Sequence, residues 1–130
     1  MTSNAPSKHI TLITFLAFGL VGLAAAQTQQ DPRLAQLGDA AGCEFPDAPS
    51  IPNAESATME QMVATQGAIQ AYLEASNALL DCLEGISGNE ELSVEDRQLA
   101  LDAYNAEVEN QETAAEDWNV QRTRFLEMQQ

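Results

Sequence analysis

Residues 93–125 read SVEDRQLALDAYNAEVENQETAAEDWNVQRTRF, and this stretch decides the fold. Leu101, Tyr104, Val108, Gln111, Ala115, Trp118, Arg122 and Phe125 follow one another in alternating steps of three and four. Such spacing keeps side chains on one helical face and marks a heptad seam, here with two polar interruptions. Ser93 supplies an N-cap, and Glu95 and Asp96 put negative charge at the positive pole of the helix dipole. Arg122 and Arg124 stand near the other end, where positive charge is favoured. No proline occurs after Pro52, and no strand-like alternation appears.

Working back from this helix, residues 86–92 (ISGNEEL) read as a turn, with Gly85 as the stop of a preceding helix. Thr58-x-x-Gln61 fits a capping box at the start of that earlier helix. Met59, Met62, Val63, Ile69, Leu73, Leu80 and Leu83 recur along it at helical spacing, with Tyr72 and Leu79 flanking. The expected architecture is all-α: a long, coiled-coil-like antiparallel hairpin over residues 57–127, turning at about 85–92. Its seam is expected to pack Met59, Met62, Ile69, Leu73, Leu80 and Leu83 against Leu101, Tyr104, Val108, Trp118 and Phe125.

Upstream, residues 43–52 (CEFPDAPSIP) carry three prolines at a spacing of three. Proline fixes φ and drives its predecessor to extended geometry, so residues 43–56 should be polyproline-like. Thr58 to Cys82 spans about 36 Å of helix. Cys43 to Thr58 covers about 46 Å of extended chain. The proline segment can therefore run back along the whole first helix and bring Cys43 beside Cys82. Phe45 and Ile51 mark it as a segment that packs. Its backbone makes no internal hydrogen bonds and needs partners, a role for which Asn105 and Asn119 are candidates.

The N-terminus gives the compartment. Lys8 and His9 precede an apolar run over residues 10–26, which closes on Ala24-Ala25-Ala26. This has the three parts of a cleavable signal peptide over residues 1–26, with Gln27 as the first mature residue. As a membrane anchor its 17 residues would be at the lower limit of a span, with no basic stop after them. Export to an oxidising compartment makes a Cys43–Cys82 disulfide the default, and the chain is too short to do without such a staple easily. Residues 27–42 form a short helix or mobile segment, opened by Asp31-Pro32 and closed by Gly42, with Leu34, Leu37 and Ala41 on one face.

Loss of residues 1–26 removes the only Lys and the only His, leaving Arg33, Arg97, Arg122 and Arg124 against twenty acidic residues. Phosphate backbones and anionic lipid surfaces would repel such a chain, so neither nucleic acid nor a membrane surface is an expected partner. No stable membrane insertion is expected once the signal is gone. Without His or Lys the commonest general base, Schiff-base chemistry and His-ligated metals are excluded. There is no glycine-rich phosphate loop and no Gly-x-Ser-x-Gly elbow. Carboxylate pairs such as Glu107/Glu109 abound, but a glycosidase needs two across a cleft. Asn89, Glu90 and Glu91 lack the spacing of a calcium loop. No catalytic residue, metal ligand or cofactor is expected.

Taken in order, Cys43, Pro46, Pro49, Ile51, Pro52, Ala57, Thr58, Met62, Tyr72, Cys82-Leu83, Tyr104-Asn105 and Trp118-Asn119 form a pattern. It resembles a largely uncharacterised family of small exported proteobacterial helical proteins. The resemblance covers roughly residues 43–125 and departs at Ala54, where relatives often carry Gly, and in its acidity, since relatives tend to be more basic near the C-terminus. It implies an envelope location and a helical fold, and no activity. The expected function is that of a periplasmic or secreted, non-catalytic interaction or structural module, working through helical surfaces on a protein partner or as a homodimer. The alternative is a chaperone-like or cationic-ligand-binding protein that uses its acidic helices.

Overall fold

The computed structural model describes residues 31–130, so the signal-peptide reading of residues 1–26 lies outside it. Three helices follow in order: α1 (Pro32–Ala41), α2 (Met59–Ser87) and α3 (Val94–Met128). Helices α2 and α3 form the long antiparallel hairpin, α1 packs on both, and Cys43 is bonded to Cys82 with their Cα atoms 5.7 Å apart.

The boundaries follow from local chemistry. The Thr58 capping box is complete: the Gln61 amide donates to Thr58 Oγ1 at 3.2 Å, and the Thr58 amide to Gln61 Oε1 at 2.8 Å. Ser93 Oγ accepts from the Asp96 amide at 3.0 Å and opens α3. Gly85 does not stop α2, which continues to Ser87 and buries Ile86 in the core. The turn is accordingly tighter than expected. Asn89 organises it, its Oδ1 accepting from the Glu91 amide and its carbonyl from the Leu92 amide. At the far end α3 runs to Met128, which leaves Arg122 and Arg124 short of a last turn that holds Glu127 and no basic residue.

The seam has a different phase from the expected one. On α2 the buried side chains are Met62, Thr65, Ile69, Tyr72, Ser76, Leu79, Leu83 and Ile86, an unbroken three–four heptad series. On α3 the facing series is Ala100, Tyr104, Glu107, Gln111, Ala114, Trp118, Gln121 and Phe125, all buried or half-buried. Tyr104, Gln111, Trp118 and Phe125 belong to both the expected and the observed stripe. Leu101 does not: it is 43% exposed, and Met59 is 57% exposed, so neither is a seam residue. Leu73, Leu80 and Val108 are half-buried flanks. The reason is steric and chemical. Ala100 and Ala114 let the helices approach closely, and Glu107 and Gln121 find hydrogen-bond partners that repay their burial.

Two apolar clusters result. Near the turn, Leu34, Leu37 and Cys43 join Leu79, Leu83, Ile86 and Ala100. Towards the open end, Ala54 joins Met62, Ile69, Tyr72, Ala114, Trp118 and Phe125. The proline segment links the two, Phe45 packing on the first and Ile51 on the second. Asn105 and Asn119 are exposed and make no hydrogen bond to its backbone; that role falls to Gln121, whose Oε1 accepts from the Ala54 amide at 2.9 Å.

Helix α1 is docked. Gly42 takes the left-handed conformation (φ 74°), and the Cys43 amide donates to the Gly38 carbonyl at 2.8 Å, which closes the helix and turns the chain into the disulfide. Gly38 is a contact point, since a Cβ there would lie 2.6 Å from the Phe45 ring. Arg33 reaches across to α3 with a two-pronged ion pair to Asp96, Nε to Oδ1 at 2.8 Å and Nη2 to Oδ2 at 2.6 Å. Its hydrogen bond holds the Asp96 carboxyl below the usual carboxylate range.

Reduction, or Cys43→Ser, is expected to lower stability by up to about 4 kcal/mol in urea titrations. It should also make residues 43–53 the first site of limited proteolysis; unchanged protection of that segment would contradict the packing described. The lowered Asp96 value means that α1 docking is fully supported above the ordinary carboxylate pKa of about 4 and is lost as pH falls through the folded value. Amide exchange in residues 34–41 should therefore accelerate selectively in acid, and Asp96→Asn should show that faster exchange already at neutral pH.

Candidate functional site

Between the two apolar clusters the seam turns polar. Tyr72 and Ser76, one turn apart on α2, face Glu107 on α3, and all three are buried. The Tyr72 hydroxyl donates to Glu107 Oε1 at 3.0 Å, and the Ser76 hydroxyl donates to the same oxygen. Asn110, one turn along α3, donates from Nδ2 to Oε2 at 3.2 Å. Both donor hydroxyls stand on the buried heptad stripe of α2, which aims them at α3.

This carboxylate is held by neutral donors alone. Among the described residues the ion pair within 4 Å is Arg33–Asp96, and Glu107 has none. Burial first, and then the hydrogen bond and charge of Glu107, push the Tyr72 phenol up to about 12; the Ser76 hydroxyl bond opposes the rise. The phenol thus stays a donor through the whole neutral range.

Beside the cluster lies a cleft of about 390 Å³, where α1, the proline segment and the hairpin meet. Leu34, Phe45, Leu79 and Ala103 form its apolar walls, and Asp47, Glu107 and Asn110 supply its polar edge. Of the residues expected to form the seam or to contact the proline segment, Phe45 borders it, as do Leu34, Pro46, Leu79 and Glu107, which the sequence reading names for other roles. Met62, Ile69, Leu83, Trp118 and Phe125 are core, Tyr104 is half-buried at the seam, and Asn105 and Asn119 point to solvent. The sequence reading names Glu107 as one of a surface carboxylate pair and does not name Ser76, although a strict heptad count from Met62 lands on Ser76 and one from Gln121 lands on Glu107. Among the described residues no three His, Cys, Asp or Glu side chains converge in a way that would hold a metal ion. No helix there is long and apolar enough to cross a membrane.

Comparison with protein-family models, with curated proteins and with solved structures finds no match to this chain.

The raised Tyr72 value has a signed consequence. A group whose folded pKa lies above its unfolded value of 10.0 contributes stability in full below pH 10, and that contribution fades as pH climbs towards 12. Urea midpoints are expected to fall across that window. In Tyr72→Phe this alkaline step should vanish, while stability at neutral pH drops by about 2 kcal/mol, the worth of a buried hydrogen bond to a charged acceptor. An equal alkaline fall in the variant would assign the step to another group.

Proposed function

We propose that this chain is an exported, non-catalytic interaction module that offers the open half of its hairpin to another helical surface. The observation that carries this reading is a partition of charge. A chain with twenty acidic residues has none between residues 61 and 73, nor any basic residue there, and none of its acids falls between residues 118 and 126. These two stretches lie side by side, since α2 and α3 are antiparallel and share the cluster of Met62, Ile69, Trp118 and Phe125.

The outer face of the uncharged stretch is exposed and small: Val63, Ala64, Gly67, Ala68 and Ala71. Nothing lies within 4 Å of where a Gly67 side chain would begin. Across the open end Met59, Val120, Leu126 and Met128 are exposed as well. Large exposed apolar residues scattered singly mean little, but beside the uncharged face of α2, and with Arg122 and Arg124 as the nearest charges on residues 118–126 of α3, they suit a partner helix. A second copy, completing a four-helix bundle, satisfies the same geometry. The signal-peptide pattern of residues 1–26 and the resemblance of residues 43–125 to small exported proteobacterial proteins support a periplasmic or secreted setting.

The test is cross-linking of the tagged protein in cells, alongside a variant carrying Ala64→Glu and Ala68→Lys. That pair adds two charges to the outer face at helical spacing and should leave the thermal midpoint unchanged or slightly raised. One dominant, stoichiometric partner, or a homodimer, captured by the wild type and lost in the variant is the expected result. A broad set of envelope proteins released by salt would favour the chaperone-like alternative, and capture unaffected by the variant would sink the reading of this face.

A further inference from the structure

The geometry points to a small-molecule site at the cleft beside Glu107: it takes an organic cation, an ammonium or guanidinium on a short apolar stem, with its charge set against the Glu107 carboxylate. This goes beyond the partner surface of the open half and does not depend on it.

Three observations carry it. The first is the carboxylate itself. Glu107 is 8% exposed and has no counter-charge among the described residues, although a buried anion is costly unless something opposes its charge. Its hydrogen bonds are unevenly shared. Oε1 accepts both hydroxyls, whereas Oε2 accepts the Asn110 amide alone, and each carboxylate oxygen can take two donors. Glu107 and Asn110 both line the cleft.

The second is the shape and lining. At about 390 Å³ the cleft falls within the range of small-ligand pockets. The Phe45 ring and the Leu34 and Leu79 side chains give a stem something to lie on, and an aromatic wall favours a cation further. Asp47 stands at the same edge. A bare divalent ion is poorly served, since it needs six or so oxygen ligands and no third acid joins these two.

The third is the field. After residue 26 acids outnumber arginines by twenty to four, and they crowd the half of the hairpin that holds the cleft. Cations are drawn towards it and anions are turned away.

The experiment is an amide chemical-shift titration of the disulfide-bonded chain from residue 27 at fixed ionic strength. The probes are phenethylammonium, its neutral counterpart phenethyl alcohol, and acetyl-Ala-Lys-Ala-amide. The ammonium is expected to shift the amides of Phe45, Ala103 and Asn110 saturably, and the alcohol to bind at least about tenfold more weakly. Glu107→Gln, which keeps an acceptor for Tyr72 and Ser76, should weaken the ammonium at least about tenfold. Glu112→Gln removes one exposed charge outside the cleft and should change affinity by less than about twofold. Ala106→Leu, on the rim, fills the cleft without touching a charge and should abolish binding even if Glu107→Gln proves unstable. Tighter binding of the peptide would identify the source as a side chain on a polypeptide, and tighter binding of the free amine a small metabolite; both support the site. Absence of saturation at these amides, equal binding of ammonium and alcohol, or equal losses in Glu107→Gln and Glu112→Gln would overturn it.

Discussion

Two helices laid side by side share one stripe each, and a hairpin of that kind leaves most of its surface in water. What turns this hairpin into a domain is the covalent tie between Cys43 and Cys82. A polyproline-like segment has no hydrogen bonds of its own and no reason to stay on a helix face unless its ends are held. Here one end is held by the disulfide near the turn, and the other by the Ala54–Gln121 hydrogen bond and the Asn53 turn. Phe45 and Ile51 then each reach an apolar cluster. Because Gly42 turns α1 directly into Cys43, the same bond also sets α1 across the closed end, where Arg33 meets Asp96. The cleft exists only because these pieces are brought together.

Within that frame the polar centre of the seam fixes how the helices slide. An antiparallel pair with heptad stripes can in principle settle one heptad up or down. The pairing of two hydroxyls, Tyr72 and Ser76, occurs once on the buried stripe of α2, and Glu107 is the one charged residue on the facing stripe of α3 between Ala100 and Phe125. A slide of one heptad would set the carboxylate against Leu79 and Leu83, which have no hydroxyl, or against Ile69 and Thr65, whose single hydroxyl already donates to the Gln61 carbonyl. The cost of that mismatch is that of a buried unsatisfied charge, which exceeds what one extra apolar contact returns. Buried polarity here therefore works as a specificity device at the midpoint of the hairpin, and the apolar clusters on either side supply the stability.

The helical hairpin, its capping residues, the disulfide and the packed proline layer were all legible in the sequence, because each rests on a local rule: spacing, caps, proline geometry and cysteine arithmetic. The phase of the α3 seam was not. Leu101 and Val108 are more apolar than Ala100 and Glu107, and a reading weighted by apolarity chose them. Closest approach between helices rewards small side chains, and hydrogen bonding rewards a matched acid; neither shows in one helix read alone. The same limit explains Asn105 and Asn119, which neighbour aromatic residues in sequence yet face solvent, while Gln121 lies on the seam and reaches Ala54. Gly38 and Gly85 are poor helix formers taken alone, yet both lie inside helices. Gly38 is the floor under Phe45, and Gly85 is an exposed residue inside a helix that Ile86 carries on.

Charge divides the molecule along its length, and that division bears on both proposed sites. The turn half is acidic, stapled and tied by an ion pair, and it borders a buried carboxylate that has no opposing charge among the described residues. The open half has no staple, no acid on the facing stretches of its two helices, and a small-residue outer face. If acidity served only to keep a small helical protein dissolved, acids would be spread over the outer positions of both helices, since any exposed position serves solubility equally. Residues 61, 64, 68 and 71 are all exposed and all uncharged, on a helix whose later turns carry Glu74, Asp81 and Glu84. Such a gap is what a surface meant to be covered would leave, and charge kept out of it would otherwise have to be desolvated when a partner arrived. The cleft obeys the opposite logic: there the charge is buried in advance and the ligand brings its complement.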